Sequence, residues 1–215
     1  MKGGMIAMVP DPITCFKDAS FKQQHQRFML EQGASLVLVD WLTSGRMSRG
    51  EGWDFTRLES RNEIMVQTSP NRDEEESRWE PLMLDSLVLE ELPDLSIRER
   101  MLGMNVVGVV VLLGPRVEDV TSPLLAEEAR QRSSLPRGLR PGGGCHGTNH
   151  AQNGERCLSS VSRLRGGYGG WCSGLVYRFA AKRTEDARQA LHSLLLPLRC
   201  ALGGKAPYAT DGDIS

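Results

Sequence analysis

Short apolar or alternating runs, rich in Val, Leu and aromatic residues and bounded by Gly, Pro, Asn and Ser, dominate the first two thirds of the chain. Alternation with period two is the signature of strands with one buried face. Residues 21–30 (FKQQHQRFML) read as one strand, 31–33 (EQG) as a turn, and 34–41 (ASLVLVDW) as a strand that is apolar on both faces. A strand that must hide both faces belongs inside a stack of layers rather than on an edge. Further strands are predicted at 53–59, 62–68, 82–90 and 105–113, with turn residues between them.

Two helices interrupt this pattern. The first is predicted to open at Ser122, with Pro123 at the first helical position and Glu127 and Glu128 ahead of Arg130 and Arg132. That order of cap, proline and charge suits the helix dipole. The second begins at Thr184, carries Glu185 and Asp186 in its first turn, and sets Ala187, Ala190, Leu191, Leu194, Leu195 and Leu198 on one stripe. Pro197 is expected to kink or end it. Residues 133–155, rich in Gly, Pro, Arg and Asn, have no apolar period and read as a disordered insertion, and the tail at 203–215 has no reason of its own to be ordered. The expected fold is mainly β, a stack of short strands with two helices, forming a single domain over residues 1–215.

Charge changes the picture little. There are 26 Lys and Arg against 27 Asp and Glu, a net charge of -1, so no basic surface calls for nucleic acid or an anionic membrane. Pro10 and Pro12 interrupt the opening apolar stretch before a signal-peptide core could form. The longest strongly apolar run, 106–113, is far below the ~18–20 residues that span a bilayer. Five scattered cysteines, an odd number, point to free thiols in a reducing compartment, and a cytoplasmic location is expected.

Catalytic patterns are missing from the sequence: no GxSxG elbow, no GxxxxGK[ST] phosphate loop and no HExxH pair occurs. The glycines of RGGYGGW (165–171) fit no dinucleotide pattern and read as a flexible turn before a strand. Cys145, His146, His150 and Cys157 form C-H-x3-H-x6-C, a thiolate and imidazole set that could hold zinc or nickel, inside a segment with nothing to preorganise it. His25 and His192 read as a surface and a structural residue.

More informative are carboxylates placed where the strand pattern predicts burial. Asp40 follows LVLV, Asp85 interrupts LMLDSLVL, and Glu63 lies within a predicted strand. Buried carboxylates need partners or water. Arg46, Arg49 and Arg61 are near in sequence, so one reading is a set of ordinary ion pairs at turns. The other is a hydrated, carboxylate-lined passage that a divalent cation could use in transit. Asp40 and Arg46 are expected to share one polar site, with residues 42–45 turning the chain back.

PDPITCF (10–16), ASLVLVDWLTSGRMSRGEGWDF (34–55) and SRNEI (60–64) closely resemble the UreD family of urease accessory proteins, and 98–115 and 175–212 are similar to its later strands and final helix. The resemblance implies a β-rich superhelical fold with two helices. It implies a non-enzymatic factor that binds no cofactor tightly and acts with UreF and UreG, the latter supplying the GTPase, to bring nickel to apo-urease. It also implies a water-filled tunnel, with Asp40 and Arg46 as tunnel or partner positions and Arg49, Glu51, Glu63 and Asp85 beside them. Family members begin well upstream of Met1, so an unpaired edge is expected, as in an N-terminally truncated copy. The alternatives from other classes are a zinc-binding interaction module centred on the Cys/His segment and a non-functional copy.

Overall fold

The computed structural model describes residues 3–23, 25–68, 78–134, 148–149, 157–166, 170–204 and 206–209. Eleven strands and three α-helices form among them. The strands are β1 (Met5–Met8), β2 (Ile13–Thr14), β3 (Ser20–Lys22), β4 (Gln26–Leu30), β5 (Ser35–Thr43), β6 (Arg57–Gln67), β7 (Trp79–Glu90), β8 (Val106–Leu113), β9 (Thr148–Asn149), β10 (Cys157–Gly166) and β11 (Cys172–Ala181). The helices are α1 (Ile97–Arg100), α2 (Glu118–Ser134) and α3 (Thr184–Leu195).

The strands make two open sheets. The larger runs β1-β5-β8-β11-β10-β9, with β2 continuing the β1 edge of β5. In the smaller, β3 and β4 lie end to end on one side of β6 and β7 pairs with its other side. A mainly β fold is therefore what the chain adopts. The large sheet is the middle layer. Val37, Val39 and Trp41 of β5 face a core shared with Leu125 of α2 and Leu191 and Leu195 of α3. Leu36, Leu38 and Leu42, of opposite parity, face the small sheet. Every residue of β5 is buried except Asp40, which is half-buried, and this is why the run reads as apolar on both faces.

Several boundaries differ from the pattern reading. The strand predicted over 21–30 is broken into β3 and β4, which pair with Arg57–Glu59 and Asn62–Val66 respectively. The strands predicted at 53–59 and 62–68 are one: Trp53 turns the chain with a left-handed φ of 62°, and β6 then runs unbroken from Arg57 to Gln67. The apparent break arises because Ser60 and Asn62 take inward positions between Leu58 and Ile64. The first long helix starts at Glu118 rather than Ser122, so Pro123 lies inside it, behind a 3-10 turn at Pro115–Val117. Among the described residues there are three α-helices rather than two. The additional α1 is a single turn closed by a capping box in which Ser96 and Glu99 satisfy each other's backbone N–H groups. α3 matches its prediction, ending where a 3-10 turn containing Pro197 begins.

Of the segment read as an insertion, Ser133 and Ser134 close α2 and Thr148–Asn149 pair with β10; its remaining residues lie outside the described ones. The tail is partly anchored, against expectation. The Tyr208 hydroxyl donates to the Pro10 carbonyl at 2.7 Å and its ring stands edge-on to Trp41, 5.5 Å between centroids.

Candidate functional site

The space between the two sheets is apolar at both ends. One end is filled by residues such as Leu30, Leu38, Ile64 and Val111, the other by Leu42, Phe55, Leu58 and Ile97. A polar layer separates them. It arises because β5, β6 and β7 each place a polar residue at an inward position in mid-run, and the exposed Arg178 of β11 bonds to one of them.

On the large sheet, Asp40 of β5 pairs in register with Val109 of β8, and Val109 with Arg178 of β11, so the three form one row. On the small sheet, Asn62 of β6 stands opposite Asp85 of β7. Two contacts join the rows. The Asn62 side-chain amide donates to Asp40 Oδ2 at 2.6 Å, and Arg178 Nη2 donates to Asp85 Oδ1 at 3.1 Å. The Ser60 hydroxyl donates to the same Asp40 oxygen at 2.7 Å. Ser60 and Asn62 are 3% and 2% exposed, so both donors are spent on Asp40 with almost no water to replace it. Hydrogen bonds to a charged acceptor contribute about 1.5–3 kcal/mol each, enough to keep a carboxylate in an apolar interlayer without a cation touching it. The Asn62 carbonyl oxygen is buried and has no hydrogen-bond partner among the described residues.

A cavity of about 270 Å3 lies at this level, lined by Asp40, Asp85, Arg178, Leu42, Val107 and Val109 among others. It brings together two of the carboxylates singled out in the sequence, Asp40 and Asp85. The remaining candidates stand elsewhere. Arg46 does not meet Asp40: β5 ends at Thr43, Gly45 turns the chain at φ 141°, and Arg46 closes on Glu51 with two parallel bonds of 2.8 and 2.6 Å. That fork holds the Glu51 carboxyl below its usual range, with a smaller contribution from Arg49, and raises Arg46 in return. The Arg46 guanidinium also lies 4.2 Å from the centre of the Phe16 ring.

Glu63 is not an inward residue. Its neighbours Asn62 and Ile64 are buried, and Glu63 faces outward to Arg27 at 2.7 Å and His25 at 3.1 Å, the former chiefly lowering its carboxyl. None of the embedded carboxylates takes the arginine nearest in sequence. Of the Cys/His set, Cys145, His146 and His150 lie outside the described residues. Cys157 opens β10 half-buried, its thiol pushed up by burial and then by Asp186. Among the described residues no group of three or more His, Cys, Asp or Glu is placed to hold a metal ion.

Arg178, Ser60 and Asn62 were not singled out in the sequence. Parity could have found them: Arg178 interrupts LVYRFAA, and Ser60 and Asn62 fall on the phase of Leu58, Ile64 and Val66.

Residues 1–211 match the family described as UreD urease accessory protein. The chain belongs to this family. Among UreD-family relatives, it is 33% identical over 208 residues to urease accessory protein D of Oryza sativa subsp. indica, covering 95% of this chain and 62% of the relative. To the urease accessory protein D of Arabidopsis thaliana it is 30% identical over 205 residues, 95% of this chain and 65% of the relative. To a urease accessory protein UreD of Anaeromyxobacter sp. it is 33% identical over 207 residues, 96% and 57% respectively. The chain thus spans less than two thirds of the length of these relatives. The segments that carried the resemblance to UreD build the site's surroundings: PDPITCF supplies β2, ASLVLVDW most of β5, and SGRMSRGEGWDF the loop closed by Arg46 and Glu51. Among the described residues no helix is long and apolar enough to cross a membrane.

Proposed function

We propose that this UreD-family chain is a non-catalytic urease maturation factor that assists nickel insertion into apo-urease together with UreF and UreG. The polar layer between the sheets is the part that handles the cation. The observation that carries this reading is the cavity of about 270 Å3 at which Asp40 and Asp85 interrupt an otherwise apolar interlayer. Two carboxylates set in largely apolar walls leave a small excess of negative charge, which would attract a divalent ion in passage without capturing it. Tight capture would need more ligands at fixed geometry.

Asp40 contributes the fixed charge. Ser60 and Asn62 hold one of its oxygens, which immobilises the carboxylate. The loop at 44–55, with the Arg46–Glu51 fork and exposed Met47, is a surface a partner protein would meet.

The test is nickel-dependent activation of apo-urease by the purified chain with UreF and UreG. Asp40→Asn keeps the shape and removes the charge, so activation should fall while the unfolding midpoint stays close to wild type. Equal activation by the variant would overturn the assignment to Asp40. A wild-type chain that supports no nickel-dependent activation would overturn the maturation reading itself.

A further inference from the structure

Two charge pairs in this molecule are made in opposite ways. Arg46 and Glu51 use two parallel bonds of 2.8 and 2.6 Å. Arg178 meets Asp85 by a single bond of 3.1 Å, from a side chain that is 51% exposed, while Asp85 is 20% exposed. The first geometry locks a guanidinium in place; the second leaves it a route into solvent by rotation of its own stem.

The charges around the cavity make that freedom consequential. Asp40 and Asp85 supply two negative charges and Arg178 one positive, and the other cavity-lining residues, Leu42, Ser86, Leu87, Val107, Gly108, Val109 and Phe179, are uncharged. With Arg178 in place the excess is one negative charge. With Arg178 swung out it is two, matching a divalent cation. Asn62, in register with Asp85 and bonded to Asp40, does not line the cavity; it fixes the Asp40 carboxylate beside it.

We propose that Arg178 is a resident counter-cation that gates this cavity: its guanidinium occupies the charge position of a divalent ion, and the ion enters by displacing it from Asp85. This rests on reading the layer as a cation passage. Arg178 sets selectivity as well as access. A monovalent ion gains only one charge's worth of attraction on replacing a group that already carries one, whereas a divalent ion gains twice that.

The experiment is Ni2+ binding to the full chain, measured by competition with a chromophoric chelator at low salt. Wild type is compared with Arg178→Gln, Arg178→Met, Arg178→Lys, Asp40→Asn and the Arg178→Gln, Asp85→Asn double variant. Removing the positive charge should tighten binding about tenfold or more, the scale on which one neighbouring charge moves a titrating group. Arg178→Gln and Arg178→Met must both show it, and whichever of the two folds decides. Arg178→Lys keeps the charge and should stay near wild type. The double variant removes one charge of each sign and should fall back towards wild type. Unchanged or weaker binding in the charge-removing variants overturns the gate. If Asp40→Asn still weakens binding in that case, the passage reading survives without its gate; if Asp40→Asn also changes nothing, both fall.

Discussion

The two faces of the large sheet are covered differently. On the helix side, Trp41, Val110, Leu112, Leu175 and Phe179 join α2 and α3 in one uninterrupted cluster. On the other side, residues of the same strands but opposite parity meet the small sheet in two clusters split by Asp40, Asn62, Asp85 and Arg178. One set of strands thus carries a continuous core on one side and an interrupted one on the other. The helix face carries an unbroken apolar core, and the sheet-facing side gives up apolar contact for a charged level.

The largest effect that tests this contrast lies on the helix face. Trp41 is 1% exposed, packs against Phe179 and Tyr208, and donates its indole N–H to the Pro10 carbonyl at 3.0 Å. Trp41→Ala should cost about 3–5 kcal/mol in denaturant unfolding. A loss near 1 kcal/mol would mean that the helix side is not the stabilising one.

The polar layer should respond less and in an instructive direction. Asp40→Ala strands the Ser60 and Asn62 donors and should cost about 1–3 kcal/mol. Replacing the group together, with Asp40→Leu, Ser60→Ala and Asn62→Leu, should recover most of that stability, because apolar packing often equals or betters a buried polar cluster. Nickel binding by the same protein should be lost. A triple variant less stable than Asp40→Ala would show that the layer serves the fold, and the contrast between the faces would disappear.

The smallest effect concerns the tail on the helix side. Burial pushes the Tyr208 phenol from its ordinary value of 10 up to about 12, a shift that Asp11 adds to and that Trp41 and Arg188 oppose. A phenol whose folded pKa is raised stays neutral in the native state while the unfolded chain ionises. Its contribution is therefore full below about pH 10 and is lost between about pH 10 and 12. Tyr208→Phe should cost about 0.5–1.5 kcal/mol at neutral pH through the lost bond to Pro10. It should also flatten that alkaline slope, read as the difference from wild type in unfolding midpoint against pH. An identical slope in both proteins would place the tail off the core.

The sequence made the layered interior legible through β5, because nine consecutive positions with a single charge admit few other placements. β8 and α3 were equally readable, the first from a run of Val and Leu, the second from a stripe with helical period. What failed was partner assignment. Nearness along the chain suggested Arg46 for Asp40, but a strand's alternation ends where the strand ends, and Gly45 re-aims everything after Thr43. Asp85 found its cation 93 positions away, on a strand whose pairing depends on β8. The polar residues of β6 hid the strand's length for the reason that makes them interesting: Ser60 and Asn62 look like a break in an apolar pattern because they are one.

The separations along the chain also give the two halves of the layer unequal closure costs. Asp40 and Asn62 are 22 positions apart, whereas Arg178 and Asp85 are separated by 93. Closing the longer loop costs a flexible chain about 1 kcal/mol more in entropy. The contact that fixes Asp40 is thus the less costly of the two to close, and the pair that carries the guanidinium the more costly.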